Sequence, residues 1–419
     1  MMNRMPDSVG RIHHRSVLVL MLLLASLAPP RAAAQEAVVF ENATVIDPGL
    51  DTPIAGATVV VTEGRIVRVA APGEAVDRPA NARAIDLGGR FLLPGLIDSH
   101  VHISTFEAAG RALRSGVTTA RSMGAGFFAD VGLRDLARRG ALEGPEILAA
   151  GYHVRPRPAD GLFIQEPGLA DLMESGVHGE DAMRRMAHAM TSRGVDFIKV
   201  NATERAGLPE TDPRVPFYDE AELRALVEAG GGTPVAAHAH GDEGGRAAVL
   251  AGVRSIEHGT YLSEETLARM AERGTWLVPT IAVVSDLTLP GGDYDDPVLQ
   301  VRGRHMLPRV RETARNAHGL GVPIAAATDT GYGPQSVLRL SHELIELVGV
   351  GLSPMEAIRA ATTAGATLLG IDERVGRVAE GFEADLIVLE RDPLADIAAF
   401  QDVLFVMADG RVVLDRLQW

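Results

Sequence analysis

Two histidines two residues apart, His100 and His102, close an apolar run over residues 91–103 that reads FLLPGLIDSHVHI. Side chains alternate across a strand, so positions i and i+2 share a side. Two neutral imidazoles placed this way can hold one metal ion. Further along, Lys199 in DFIKV, His238 in VAAHAHGDEGG, His258 in SIEHG and Asp329 in AATDTGYG each fall in or at the end of another β-type run. Lys199 is the only lysine in the chain, against 39 arginines. Guanidinium stays charged, whereas a desolvated amine can lose its proton and act as a nucleophile. A neutral amine captures carbon dioxide as a carbamate, whose two oxygens can bridge two cations. The chain has no cysteine, so any metal must be held by His, Asp, Glu or a modified Lys, and no disulfide framework exists.

These groups meet only if the strands that carry them converge. Strand candidates at 95–102, 117–123, 147–153, 196–202, 235–240, 255–258, 275–280 and 324–329 alternate with amphipathic helices such as 180–193, 220–229, 264–273 and 301–318. That alternation predicts an α/β fold, a (β/α)8 TIM-type barrel, in which the C-terminal ends of the strands share one functional face. His100, His102, Lys199, His238, His258 and Asp329 would then converge. Both chain ends have a different texture, with β-branched runs at 38–40, 44–46, 58–61 and 65–69 and again at 384–389, 403–407 and 411–414, separated by Gly- and Pro-rich turns. They predict a small β-sandwich domain formed from both chain ends. The expected organisation is a leader over 1–34, β-sandwich parts over 35–90 and 373–419, and the barrel over 91–372.

The 419 residues are 46% hydrophobic and carry a formal net charge of −15. With no basic cluster, nucleic acid is not an expected partner. Near the N-terminus Arg11, His13, His14 and Arg15 precede an apolar run over 17–28, then Pro29-Pro30 and Ala32-Ala33-Ala34. A basic region, a short apolar core and an Ala-x-Ala site predict a secretory signal peptide. The mature chain is expected to be periplasmic or extracellular, without a membrane anchor after cleavage.

The ordered motifs PGLIDSHVH, GVTTARSMG, DFIKV, VAAHAHGDEGG, SIEHG, AATDTGYG, SPMEAIRAAT and GFEADLIVLERDPL resemble the amidohydrolase superfamily. Within it, the chain resembles the binuclear prolidase-like group, also termed imidazolonepropionase-like. The resemblance covers nearly all of the mature chain. It implies two divalent metal ions, zinc by donor chemistry, with His100, His102 and Asp329 on one and His238 and His258 on the other. It further implies Lys199, carboxylated by carbon dioxide, and a hydroxide as bridges, with Asp329 catalytic as the group that moves the proton to the leaving amine. The implied reaction is hydrolysis of a small-molecule amide, a dipeptide or an N-acyl amino acid, by a homo-oligomer; ochratoxin-like aryl amides fall in the same class. His240 faces the same side as His238, and in such enzymes that position helps hold a substrate carboxylate.

Three loops depart from the family pattern. The turn after the third strand reads Gly151-Tyr152-His153-Val154-Arg155-Pro156-Arg157-Pro158, residues 201–216 replace a short loop after Lys199, and residues 289–297 are inserted after the seventh strand. Loops on this face set specificity, so Tyr152, His153, Arg155 and Arg157 are candidates for substrate contact, toward a carboxylate or an aromatic acyl group. Two other readings stand beside amide cleavage. One is a cyclic-amide hydrolase or deaminase, although a mononuclear deaminase would not need Lys199. The other is an inactive periplasmic metal-binding protein, whose mark would be a missing ligand.

Overall fold

The structure is a computed structural model that describes residues 37–417, and the expected signal peptide lies outside the described residues. Its strands are β1 (Val38–Val45), β2 (Ile54–Thr62), β3 (Arg65–Ala70), β4 (Arg83–Asp86), β5 (Phe91–Pro94), β6 (Leu96–Val101), β7 (Val117–Ser122) and β8 (Glu146–Ala149). They continue with β9 (Ile198–Asn201), β10 (Val235–Ala239), β11 (Ser255–His258), β12 (Trp276–Val278), β13 (Leu386–Leu389), β14 (Val403–Ala408) and β15 (Arg411–Asp415).

Both chain ends enter one eight-stranded sheet, ordered β15-β14-β13-β5-β1-β2-β3 with β4 beside β1. The hydrogen bonding is that of one continuous sheet, where the sequence predicts a sandwich. Two of its hairpins close on two-residue turns, Glu63-Gly64 (φ 50° and 76°) and Asp409-Gly410 (φ 48° and 70°). Positive φ at both central positions matches the twist of the strands they join. Pleating gives the sheet two apolar faces. Phe40, Val59, Leu92, Leu386, Val388 and Phe405 share one core, whereas Leu93, Ile387, Leu389 and Val406 join the main core of the molecule. Gly95 alone separates β5 in this sheet from β6 in the next; a Cβ there would collide with the Thr118 side chain.

The middle of the chain forms two parallel sheets, β6-β7-β8 and β12-β11-β10-β9. Parallel neighbours require long crossovers, and helices such as Phe106–Arg114, Gly179–Ser192, Glu220–Ala229 and Glu264–Arg273 supply them. The helix Glu220–Ala229 begins on a capping box, with Asp219 accepting from Glu222 N (2.9 Å) and Glu222 accepting from Asp219 N (3.0 Å). The helix predicted over 301–318 is longer, Pro297–Gly319, because Asp296 caps it and Pro297 occupies a first-turn position where no N–H is needed. No helix among the described residues is long and apolar enough to cross a membrane.

The eighth strand predicted over 324–329 is not a ladder strand. Single parallel bridges, Leu277↔Ile324 and Val101↔Thr330, tie it to β12 on one side and to the end of β6 on the other. Backbone bonds from Ser99 N to Ala326 O (3.1 Å) and from Asp329 N to His100 O (2.8 Å) fix the register. The Asp98 carboxylate takes both the N–H (3.0 Å) and the hydroxyl (2.7 Å) of Thr328, in place of ladder partners, and positive φ at Asp329 (55°) then breaks the extended run. A third bridge, Val154↔Val200, ties the segment after β8 to β9.

Candidate metal centre

The register between β6 and the 324–330 segment brings the first three groups together. Asp329 Oδ1 lies 3.2 Å from both His100 Nε2 and His102 Nε2, and its other oxygen is 4.0 Å from His258 Nδ1. Burial alone would raise the Asp329 carboxyl, but the surrounding imidazoles hold it well below the usual carboxylate range.

A second cluster adjoins the first. The rings of His238, His240 and His258 lie 4.6–4.8 Å apart, and His240 stacks on His258 with an interplanar angle of 13°. His238, His240 and His258 offer ligand atoms within 4.8 Å of one another, as do His100, His258 and Asp329. His258 belongs to both sets. Burial, above all, keeps His238 and His258 well below the ordinary imidazole value and His240 at about 3, so all three are neutral, the form that binds metal.

Hydrogen bonds behind the rings fix which nitrogen faces inward. A carbonyl only accepts, so His102 Nδ1, bonded to Gly124 O (3.3 Å), and His238 Nε2, bonded to Glu204 O (3.1 Å), carry the hydrogens. That leaves His102 Nε2, 3.2 Å from Asp329, and His238 Nδ1 as the inward-facing nitrogens. His100 Nδ1 meets Glu257 at 2.9 Å, and Arg121 clamps the same carboxylate at 2.9 and 3.1 Å. Burial would raise Glu257, yet Arg121 and His100 bring it to about 2, so this buried carboxylate stays ionised and orients His100. Three non-glycine residues of the centre have positive φ: His258 (72°), its hydrogen-bond partner Thr280 (49°) and Asp329 (55°). Such strain, unusual for β-branched threonine, persists only where surrounding contacts over-determine it.

Lys199 sits on β9, beside the β10 strand that carries His238, and is fully buried. Burial, against the attraction of Glu257 and Asp329, lowers its amine to about 8. Lys199 Nζ is buried with no hydrogen-bond partner, and His100 Nε2 has only the Asp329 carboxylate, 3.2 Å away. A buried amine of this kind is costly unless something else satisfies it. An unmatched amine beside several neutral imidazoles and an ionised carboxylate fits a cation site.

His102 and Asp329 open onto a cavity of about 370 Å³, also lined by Tyr152, His153, Arg155, Arg205 and Tyr294. The His153 ring lies 5.7 Å from that of His102, and burial keeps it neutral, well below its ordinary value. Tyr152 lines the wall, but its hydroxyl accepts from Phe127 N (2.7 Å) and donates to Gln165 (3.2 Å). Arg157 is exposed and outside the lining. His240 is packed in the second histidine cluster and is absent from the cavity wall. Arg205 and Tyr294 come from the two inserted loops and have no signature of spacing; the only sequence signal for them is the departure of those loops from the family pattern. A larger cavity, about 450 Å³, lies where the end sheet meets β8. It is remote from these ligands, and its Arg374 is matched to Glu146 and Glu383.

The profile of the Amidohydrolase family matches residues 91–413. Ochratoxinase of Aspergillus niger is 27% identical over 402 residues, covering 86% of this chain and 82% of the relative. Among solved structures, a Xaa-Pro dipeptidase with bound methionine in the active site superposes with a TM-score of 0.78 at 28% identity, over 90% of this chain and 99% of the other. A prolidase complexed with N-methylphosphonate-L-proline gives 0.77 at 27% identity, over 90% of this chain and all of the other (100%).

Proposed function

Since the chain belongs to the amidohydrolase family, as a prolidase-like hydrolase of carbon–nitrogen bonds, we propose that it is a binuclear metal amidase. Its substrates are dipeptides or N-acyl amino acids with a free α-carboxylate. The observation that carries this reading is the buried, unpartnered Lys199 amine among neutral histidines and Asp329. In this reading His100, His102 and Asp329 would hold one divalent ion, His238 and His258 would hold the other, and a carboxylated Lys199 would supply anionic oxygens to the pair. Zinc suits the imidazole and carboxylate donors. When bound, the ions polarise the amide carbonyl and lower the pKa of water. Asp329, in contact with His100 and His102, takes the proton and passes it to the leaving nitrogen. Arg155 and neutral His153 face the space where a substrate carboxylate would lie. The ochratoxinase likeness adds aryl amides of the ochratoxin type to the substrates worth testing.

The two parallel sheets, joined by the bridges at 154, 277 and 330, support a (β/α)8 barrel over 91–372, with the end sheet as a second domain from 35–90 and 373–419. Residues 1–34 are read as a cleaved leader, placing the mature chain in the periplasm or outside the cell; N-terminal sequencing of the exported protein, expected to begin at Gln35, tests this.

Metal content of protein purified without added metal, for wild type and Lys199→Ala side by side, tests the centre. Close to two ions per chain in wild type, falling sharply in the variant, is the expected result. One ion or none, unaffected by the substitution, overturns the binuclear reading.

A further inference from the structure

The cavity beside the metal centre has an uneven charge. Two guanidinium groups, Arg155 and Arg205, line it, and Asp329, which belongs to the centre, is the only carboxylate among its lining residues. Neither arginine makes an ion pair or a side-chain hydrogen bond among the described residues, in a chain with 55 acidic residues and a net charge of −15. Arg205 also repels Arg155; together with burial this lowers the Arg155 guanidinium.

Both are held in place by backbone, not by acids. Arg155 follows Val154, whose N–H donates to Lys199 O (2.8 Å) and whose carbonyl accepts from Asn201 N (2.9 Å). Arg205 begins a loop that is stitched at several points. The Thr211 hydroxyl donates to the Arg205 carbonyl, and Asp212 N donates to Glu204 (2.7 Å). Arg302 of the helix Pro297–Gly319 donates to the carbonyls of Ala206 (2.6 Å), Leu208 (2.6 Å), Pro209 (3.1 Å) and Thr211 (2.5 Å). The two unmatched cations are therefore preorganised to receive anions from the cavity.

One substrate carboxylate would leave one of these charges unmatched. We propose that Arg155 and Arg205 together select an acidic leaving amino acid, so that the preferred substrates are N-acyl-aspartates, N-acyl-glutamates or dipeptides ending in Asp or Glu. An acidic residue carries both carboxylates on the same side of the scissile bond, on one short frame, as the two neighbouring guanidiniums require. The reaction is hydrolysis: the acyl C–N bond breaks, the oxygen of water goes to the acyl carbon, and a proton goes to the leaving amine. No other reactant is needed. The inference rests on the amidase reading above and specifies its substrate.

The test compares N-acetyl-L-glutamate with its near-isostere N-acetyl-L-glutamine and with N-acetyl-L-leucine, using metal-loaded full-length mature enzyme. Expected is a kcat/KM preference for glutamate over glutamine of about 100-fold, the scale of losing one hydrogen bond to a charged group. Arg205→Met and Arg155→Met should each raise KM for the glutamate compound and shrink the preference to within about threefold. Calorimetry on wild type, with L-glutamate and L-glutamine as probes, gives a readout independent of turnover and should show the same order of affinity. Equal hydrolysis of all three compounds, or a preference for leucine, overturns the acidic selectivity and leaves the amidase reading standing. No hydrolysis of any N-acyl amino acid or dipeptide by a two-metal enzyme defeats the amidase reading itself, and the acidic selectivity with it.

Discussion

Asp329 has one oxygen 3.2 Å from each of two imidazoles, so asparagine there removes a charge and almost no volume. An amide can still fill the space and accept from a neighbour, but it cannot take a proton near neutral pH. Asp329→Asn is expected to keep the far-ultraviolet dichroism of wild type and to lower kcat by about 10³, within the range for loss of a general base. Unchanged turnover would remove the role given to Asp329. At this scale the sequence is informative where a residue type is rare or spaced for one face. A single lysine among 39 arginines and a His-x-His at a strand end are both visible without coordinates. Arg121 and Glu257 are not, because their importance lies in a contact between residues 136 apart. An arginine inside GVTTARSMG reads like any other until its guanidinium is seen against a buried carboxylate.

Strands and turns hold these groups at the required positions, and one turn makes this testable through pH. Asp385, just before β13, is buried and accepts from Asp409 N at 2.8 Å, anchoring the turn between β14 and β15. Burial raises its carboxyl from 3.8 to about 7. Because the folded value lies above the unfolded one, the protonated form contributes stability below about pH 4, and that contribution is lost as pH rises through about 7. Asp385→Asn keeps an acceptor oxygen and cannot ionise. The variant should melt higher than wild type at pH 8, and the gap should close by pH 4; a gap independent of pH would mean that the carboxyl does not titrate in this window. Element boundaries were legible where the code is local. The helices Glu220–Ala229 and Glu264–Arg273 coincide with their predicted spans because Asp219 and Ser263 cap them. The segment 324–330 departs from its predicted strand at Thr328, whose N–H and hydroxyl both go to the Asp98 carboxylate, more than 200 residues away in the chain. Arg205 and Tyr294 were hidden for a similar reason, since an insertion shows in sequence but the side chain it points inward does not.

At the scale of the whole molecule, the two chain ends and the middle are parts of one packing problem. β5 pairs with β1 on one side and β13 on the other. Its Leu92 faces the core of the end sheet, while its Leu93 faces the main core. In β13 the same alternation gives Leu386 and Val388 to the end sheet and Ile387 and Leu389 to the main core. A chain stopped at residue 372 would lose β13, β14 and β15, leaving β5 with an open edge and the floor of the main core uncovered. Exposed apolar strand edges pair with other chains. That truncated protein is expected to be insoluble, or to lack a cooperative thermal transition if recovered. The milder variant Ile387→Ala, in the full chain, removes a fully buried side chain and should cost about 2–5 kcal/mol, seen as a melting temperature lower by several degrees. It should leave kcat unchanged, because Ile387 lies in the end sheet, away from the cavity wall. Cooperative melting of the truncated chain, close to that of the full protein, would make the end sheet an appendage. Loss of folding with truncation, and of stability alone with Ile387→Ala, would make it the base on which the parallel strands hold the metal centre.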